Sequence, residues 1–294
     1  MTIAHDFAYL RPATLAEAIE ALSRHEGAML LAGGTDVVPW LRDDAITPPA
    51  LIDLKDVEGL DRIEAAGGAL RIGPLVTFTD LIDSGIALEK APVLVEAAHT
   101  VASVGVRNRA TLAGNVCSAV PSCDAGPALL VHEAALEVAG PEGERSIPIT
   151  EWFLGPRRQA LGAGEIVTAV ALPDAGPHGA CYVKLSRYRG EDLAQVGVAV
   201  MALPGKRYRV AFGAVGPVPF RALEVEEYLE GKDPDPAALD GLGPLVERAI
   251  SPIDDVRASK EYRTHMSRVM LRRGLAAAAA RLEGGGPPYG EPVI

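Results

Sequence analysis

Residues 28–36 read AMLLAGGTD: an apolar run of strand character ends in paired glycines and then opens a helix. This juncture constrains the fold most, because it fixes the order of the elements around it. Upstream, Thr14 with Glu17 three positions on forms a capping box, and Leu15, Ala18, Ile19 and Leu22 follow at helical spacing until Gly27. Downstream, Val37, Val38, Trp40 and Leu41 continue a short helical pattern, and 51–54 reads as another strand. Helix, strand, Gly-Gly turn, helix, strand predicts an α/β or α+β layered unit. The turn is not GxGxxG, so a Rossmann domain is unsupported. Walker A, HExxH and GxSxG motifs are absent as well.

Paired glycines turn backbone amides toward one point, and a helix start adds partial positive charge, so 31–36 (LAGGTD) suits a diphosphate. From the hexapeptide alone, a tight turn with an ordinary Thr N-cap is the simpler reading. A second segment is 104–127, VGVRNRATLAGNVCSAVPSCDAGP. Its portion 110–123 is 14 residues without a charge, and it contains Asn115; with Asn108 just before, these are the only two Asn of the chain. Small residues with hydroxyls and free amides suit a large planar polar ligand, or a buried loop that satisfies itself. A third segment, Lys184, Arg189 and Asp192, places a cation near a cofactor or forms a surface ion pair. The His residues are scattered, without ligand spacing.

Further along, 69–73 and 135–138 read as strands, 92–102 and 124–132 as helices, and 166–172 as a strand stopped by Pro173. The turn-rich 174–179 (DAGPHG) is the expected boundary. After it come three strands (181–185, 193–203, 208–215) and three helices (221–229, 237–250, 259–282). The expected domains are 1–175 and 178–283, with 284–294 a loose Gly/Pro-rich tail. Residues 257–273 carry six Lys/Arg against one acid, which reads as a docking face or as packing within its own domain.

The net charge of −11 disfavours nucleic acid as a partner. Three cysteines (Cys117, Cys123, Cys181) fit a reducing, cytoplasmic compartment and are too few for a disulfide framework. No apolar run is long enough to span a membrane, and the N-terminus shows no signal-peptide pattern.

The order of these segments resembles the FAD-binding medium subunit of the molybdenum hydroxylases, the family of xanthine dehydrogenase and carbon monoxide dehydrogenase. FAYLRPATLAEAIEAL, LLAGGTD, RNRATLAGNVCSAVPSCDAGPALL, EIVTAVALP and YVKLSRYRGEDLAQVGVAV carry the likeness, from about residue 7 to 280. The resemblance implies an α+β fold: a two-lobed PCMH-type FAD-binding domain, as in vanillyl-alcohol oxidase and MurB, then a C-terminal domain with a three-stranded antiparallel sheet and helices. It implies that Ala32, Gly33, Gly34, Thr35 and Asp36 cradle the pyrophosphate. Thr111, Leu112, Ala113, Gly114 and Asn115 would line a second phosphate and flavin contact. Asp124 would accept from a ribose or ribityl hydroxyl, Val167 would pack on a ring edge, Lys184 would sit near the isoalloxazine, and Val101 stands where some members stack an aromatic. Ala113 replaces the commoner Gly.

The implied function is electron transfer, with no catalytic acid or base in this chain. A small partner subunit with two 2Fe–2S clusters would deliver electrons to FAD, which passes them to an external acceptor. A large molybdopterin subunit would oxidise the substrate, and the assembly would be a dimer of heterotrimers. One branch adds a four-iron cluster held by four Cys; with three Cys, no metal site is expected here. The alternatives are a free-standing flavin oxidoreductase of the same fold and an acidic binding protein without cofactor.

Overall fold

The computed structural model describes residues 3–188, 192–290 and 293. A small lobe contains a three-stranded parallel sheet in the order Ala8–Leu10, Ala50–Asp53, Met29–Leu31. Helix Leu15–Arg24 covers it, started by the expected capping box: Thr14 accepts from the Glu17 amide, and Glu17 from the Thr14 amide. A larger lobe is built on an antiparallel sheet in the order Ile63–Ala66, Ala69–Ile72, Ile166–Pro173, Ala135–Gly140, Gly143–Pro148. The return strand Ile166–Pro173 therefore sits mid-sheet, and its first half reaches the junction with the small lobe, where Ile166 joins the small-lobe core.

The C-terminal domain has three long antiparallel strands, Gly179–Leu185, Val196–Leu203 and Arg207–Gly213. A two-residue fourth strand, Phe220–Arg221, extends the sheet beyond the three expected. Alternate residues of this sheet enter two different cores. Ala180, Tyr182, Ala199, Met201 and Ala211 face the N-terminal domain, whereas Cys181, Val183, Val198, Val200 and Val210 face the C-terminal helices. This explains why 196–203 is a continuous apolar run, buried throughout. The long helix Lys260–Leu282, capped by the Ser259 hydroxyl, lies on the outer face. The expected single helix 237–250 is two, Pro236–Asp240 and Leu242–Ala249. The break falls at Gly241, where a Cβ would lie 2.1 Å from the Tyr228 hydroxyl. Among the described residues no helix is long and apolar enough to cross a membrane.

The tail expected to be loose is anchored as far as Gly290. Strand Gly179–Leu185 is an edge strand, and its outward groups need partners. Glu96, 5% exposed, accepts from Tyr182 N (2.9 Å) and Gly290 N (3.2 Å) and pairs with Arg281 (2.7 Å). Arg281 also donates to the carbonyls of Ala180, Pro287 and Pro288, and Tyr289 accepts from Ala180 N. The tail therefore seals a sheet edge. Removing residues 284–294 is expected to lower stability by roughly 2 kcal/mol or more, from the hydrogen bonds lost. A thermal-unfolding comparison checks it; an unchanged midpoint contradicts the anchoring.

His132 ends helix Ala125–Val131, is 1% exposed, and neither ring nitrogen has a hydrogen-bond partner among the described residues. Burial first, then the neighbouring His178 and Arg209, pushes it from 6.5 down to about 3. The unfolded chain therefore binds the extra proton across that window. Its contribution to stability is complete above 6.5 and falls by ~1.4 kcal/mol per pH unit below it. His132→Leu is expected to be no less stable at neutral pH and to flatten the loss between pH 6 and 4, measured by denaturant melts. A steeper loss contradicts this.

Candidate functional site

A cavity of about 1020 Å³ opens between the two lobes, and Lys184, Asp192 and Leu193 bring the C-terminal domain into its wall. Strand Met29–Leu31 delivers the first glycine segment to it. A Cβ on Gly33 would lie 1.9 Å from the Arg109 carbonyl oxygen, so only glycine allows this backbone contact. The contact also joins the two segments singled out in the sequence. Gly34 has φ +76°, the left-handed region. The helix starts at Val37 with Asp36 as N-cap and no side-chain cap, so the ordinary Thr35 cap is not what forms. Among the described residues, the amides of Gly33, Gly34, Thr35 and Asp36 find no acceptor in the protein.

The second segment is held by backbone pairing with 76–78: Phe78 N donates to Ala110 O (3.0 Å) and Leu112 N to Val76 O (3.1 Å). The Thr111 hydroxyl caps helix Leu112–Cys117 by accepting from Gly114 N at 3.0 Å. Asn115 Oδ1 accepts from Cys123 Sγ (3.1 Å) and Ala125 N (3.4 Å), tying down the loop that carries Asp124. Ala113 sits in a helical first turn without positive φ, so its Cβ is tolerated where Gly is commoner. Val101, Thr111, Ala113, Gly114, Asn115 and Val167 all line the cavity. Val167 is positioned by a bulge in its strand before Ala169. Leu112 is the exception: its side chain is fully buried and its amide is taken by Val76, so it does not reach the cavity.

Strand alternation points Lys184 toward the N-terminal domain, where Nζ meets Asp124 Oδ2 and the Thr100 carbonyl, each at 2.8 Å. Tyr182, two residues earlier on the same face, donates to Asp124 Oδ1 at 2.9 Å. Lys184 and Asp124 both line the cavity, and their side chains are 6% and 8% exposed. Burial raises the Asp124 carboxyl, while the Lys184 ammonium and the Tyr182 hydroxyl oppose the rise. Lys184, expected to sit near the isoalloxazine, is thus one half of an ion pair. Asp192 pairs with Arg187 (3.0 Å), and Arg189 lies outside the described residues.

Of the basic run at 257–273 only Arg263 is internal: it is 3% exposed and donates to Gln195 O and Ala214 O. Arg257 pairs with Asp192 and Asp255, Arg268 with Glu247, and Arg272 with Asp240 nearer the surface, while Lys260, Arg272 and Arg273 are exposed. Sequence reasoning missed Trp40, which lines the cavity under the Arg157 guanidinium 5.3 Å from its ring centroid, and the 161–164 stretch (LGAG). Trp40 is one of two Trp, and LGAG is small and Gly-rich, so both left a signal. Cys117 also lines the cavity and is half-buried, whereas Cys123 is buried; burial pushes both thiols up to about 12, so both are protonated at neutral pH.

Residues 5–175 match the family model described as the FAD binding domain in molybdopterin dehydrogenase, and 181–278 match the CO dehydrogenase flavoprotein C-terminal domain. The chain belongs to the FAD-binding medium subunits of the molybdenum hydroxylases. The xanthine dehydrogenase FAD-binding subunit of Escherichia coli O157:H7 is 33% identical over 287 residues, covering 95% of this chain and 98% of the relative. The carbon monoxide dehydrogenase medium chain of Afipia carboxidovorans is 32% identical, covering 94% and 97%. A chain of CO dehydrogenase from Oligotropha carboxidovorans superposes with a TM-score of 0.91 at 34% identity, covering 95% of this chain and all of the other. Quinoline 2-oxidoreductase from Pseudomonas putida 86 gives 0.89 at 27% identity, covering 97% and 99%. The fold class of medium subunits is therefore the one seen here, an FAD-binding domain followed by a C-terminal domain with an antiparallel sheet and helices. The residues fit the cofactor: residues 33–36, whose amides find no acceptor among the described residues, line the cavity, and Gly33 lies against the Arg109 backbone more closely than any Cβ would allow.

Proposed function

We propose that this chain is the electron-transfer subunit of a molybdopterin-dependent hydroxylase, taking electrons from 2Fe–2S clusters of a small partner and passing them to an external acceptor. The single observation that carries the reading is the meeting of the two glycine segments at Gly33 and Arg109, with four unpaired amides beside it. Those amides, at Gly33 to Asp36, hold the diphosphate, and Ala113, Gly114 and Asn115 flank it from the other segment. Ala32, Val101 and Val167 give apolar walls to the ring systems. Asp124 keeps a lone pair on each oxygen for a ribityl or ribose hydroxyl, since Tyr182 and Lys184 occupy one each. The Lys184–Asp124 pair presents little net charge to the ring and fixes the wall rigidly. FAD, when bound, supplies the redox chemistry, accepting electrons singly and releasing them in pairs.

Among the described residues lining the cavity there is no His or Tyr, and Glu26 is the one Glu, so a free-standing oxidase would have to draw its base from Glu26 or an Asp carboxylate. The large molybdopterin subunit and the small iron–sulfur subunit would complete a heterotrimer, doubled in the assembly. Expression with the chains encoded beside it is the test. A yellow complex of three chains, absorbing near ~450 nm and bleached when substrate reduces it, is the expected result. A yellow single chain that oxidises a small molecule unaided contradicts the subunit role, and a colourless chain that takes up no FAD contradicts the site.

A further inference from the structure

Lys55 lies outside the cavity wall, on the far side of the first glycine segment, where it lines a separate depression with Asp56, Gly59 and Asp61. Its ammonium donates to the Ala32 carbonyl at 3.3 Å and pairs with Asp53 at 2.5 Å. Asp53 is 1% exposed and ends the central strand of the parallel sheet. Its other oxygen accepts from the Tyr9 hydroxyl, and Oδ1 also accepts from the Lys55 amide at 3.1 Å. Burial works to raise the Asp53 carboxyl, yet the bonds from Lys55 and Tyr9 hold it below the usual range, so it stays an anion under Lys55. The chain Tyr9, Asp53, Lys55, Ala32 carbonyl therefore runs from the edge strand of the sheet to the first peptide of the loop.

In a trans peptide the carbonyl of one residue and the N–H of the next point in opposite directions, and there are no cis bonds among the described residues. Fixing the Ala32 carbonyl on Lys55 therefore aims the Gly33 N–H away from Lys55, toward the cavity. Glycine at 33 makes this peptide plane free to flip when nothing holds it. We propose that Lys55 is a positioning residue that locks the Ala32–Gly33 peptide so that the Gly33 amide is presented to the cofactor diphosphate. The proposal rests on the FAD reading above. It assigns Lys55 no direct contact with the cofactor, and it makes the Tyr9–Asp53 pair the brace that keeps the ammonium in place.

The test compares equilibrium binding of FAD, and of ADP as a diphosphate probe without a flavin, to the apo forms of the full chain, alongside thermal unfolding. Uptake of FAD by the unaltered chain tests the site itself, and the variants are read relative to it. Lys55→Met is expected to weaken FAD and ADP alike by roughly 10-fold, the worth of one amide–phosphate hydrogen bond. Lys55→Arg restores most of the loss. Tyr9→Phe, which leaves every charge in place, is expected to weaken both ligands in the same sense by a smaller factor, with apo thermal stability close to that of the unaltered chain. Unchanged affinities in Lys55→Met overturn the lock. So does a loss for FAD without one for ADP, and so does Tyr9→Phe binding as tightly as the unaltered chain, which would reduce Lys55 to a nearby positive charge.

Discussion

Gly33→Ala is expected to release FAD, with affinity weakened by ~100-fold or more, while secondary structure persists. A methyl group there would lie 1.9 Å from the Arg109 carbonyl oxygen and 2.7 Å from its carbon, where ordinary contact begins at 3.4 Å. Both collisions are with backbone, so no side chain can turn aside to absorb them. The two segments must separate, and the amides of Gly33 to Asp36 then no longer face those around Ala113. Gly34→Val acts at the same loop by a different route, since φ +76° strains any β-branched residue. Flavin content of the purified variants, with circular dichroism as the control, measures the effect. Stoichiometric flavin in Gly33→Ala would remove the phosphate assignment.

Asp124→Ala is expected to cost about 3–5 kcal/mol of stability and to abolish FAD retention, because it leaves the Lys184 ammonium buried without its counter-charge. Among the described residues Lys184 keeps only the Thr100 carbonyl, and the Tyr182 hydroxyl loses its acceptor. The double variant Asp124→Leu/Lys184→Met is expected to recover much of the stability, since an apolar pair of similar volume replaces an ion pair at little net cost. It should still bind FAD poorly, lacking the carboxylate at the wall. Chemical denaturation of the single and double variants, run as a cycle, isolates the coupling. Strict additivity would mean that the pair is not energetically linked.

Local signals in this chain were legible; those that depend on which surfaces meet were not. The Thr14–Glu17 box starts a helix because its partners are three residues apart. Gly33 could be read as permissive, but its necessity comes from Arg109, 76 positions along, and no spacing rule carries that. Lys184 and Asp124 were both singled out, yet their pairing follows from an edge strand laid against helix Pro92–His99 and the loop before Ala125. Leu112 misled because it sits inside the glycine-rich signature, but its place in a helical turn directs it to the core. Arg281 was not singled out in the sequence, and Tyr289 lies in the stretch expected to be a loose tail. Their role appears only once the open edge at Ala180 needs partners. Within the basic run at 257–273, Arg263 is drawn inside because its side chain is long enough to reach carbonyls of neighbouring strands, which its place in a charged stretch does not announce.

The most direct measurement is a crystal structure of the chain with FAD bound. The account predicts diphosphate oxygens within hydrogen-bond distance of the amides of Gly33 to Asp36, the ring systems between Val101 and Val167, and an intact Lys184–Asp124 pair at the wall. A diphosphate lodged anywhere else on the molecule, or a cleft between the lobes that stays empty at saturating FAD, would contradict it.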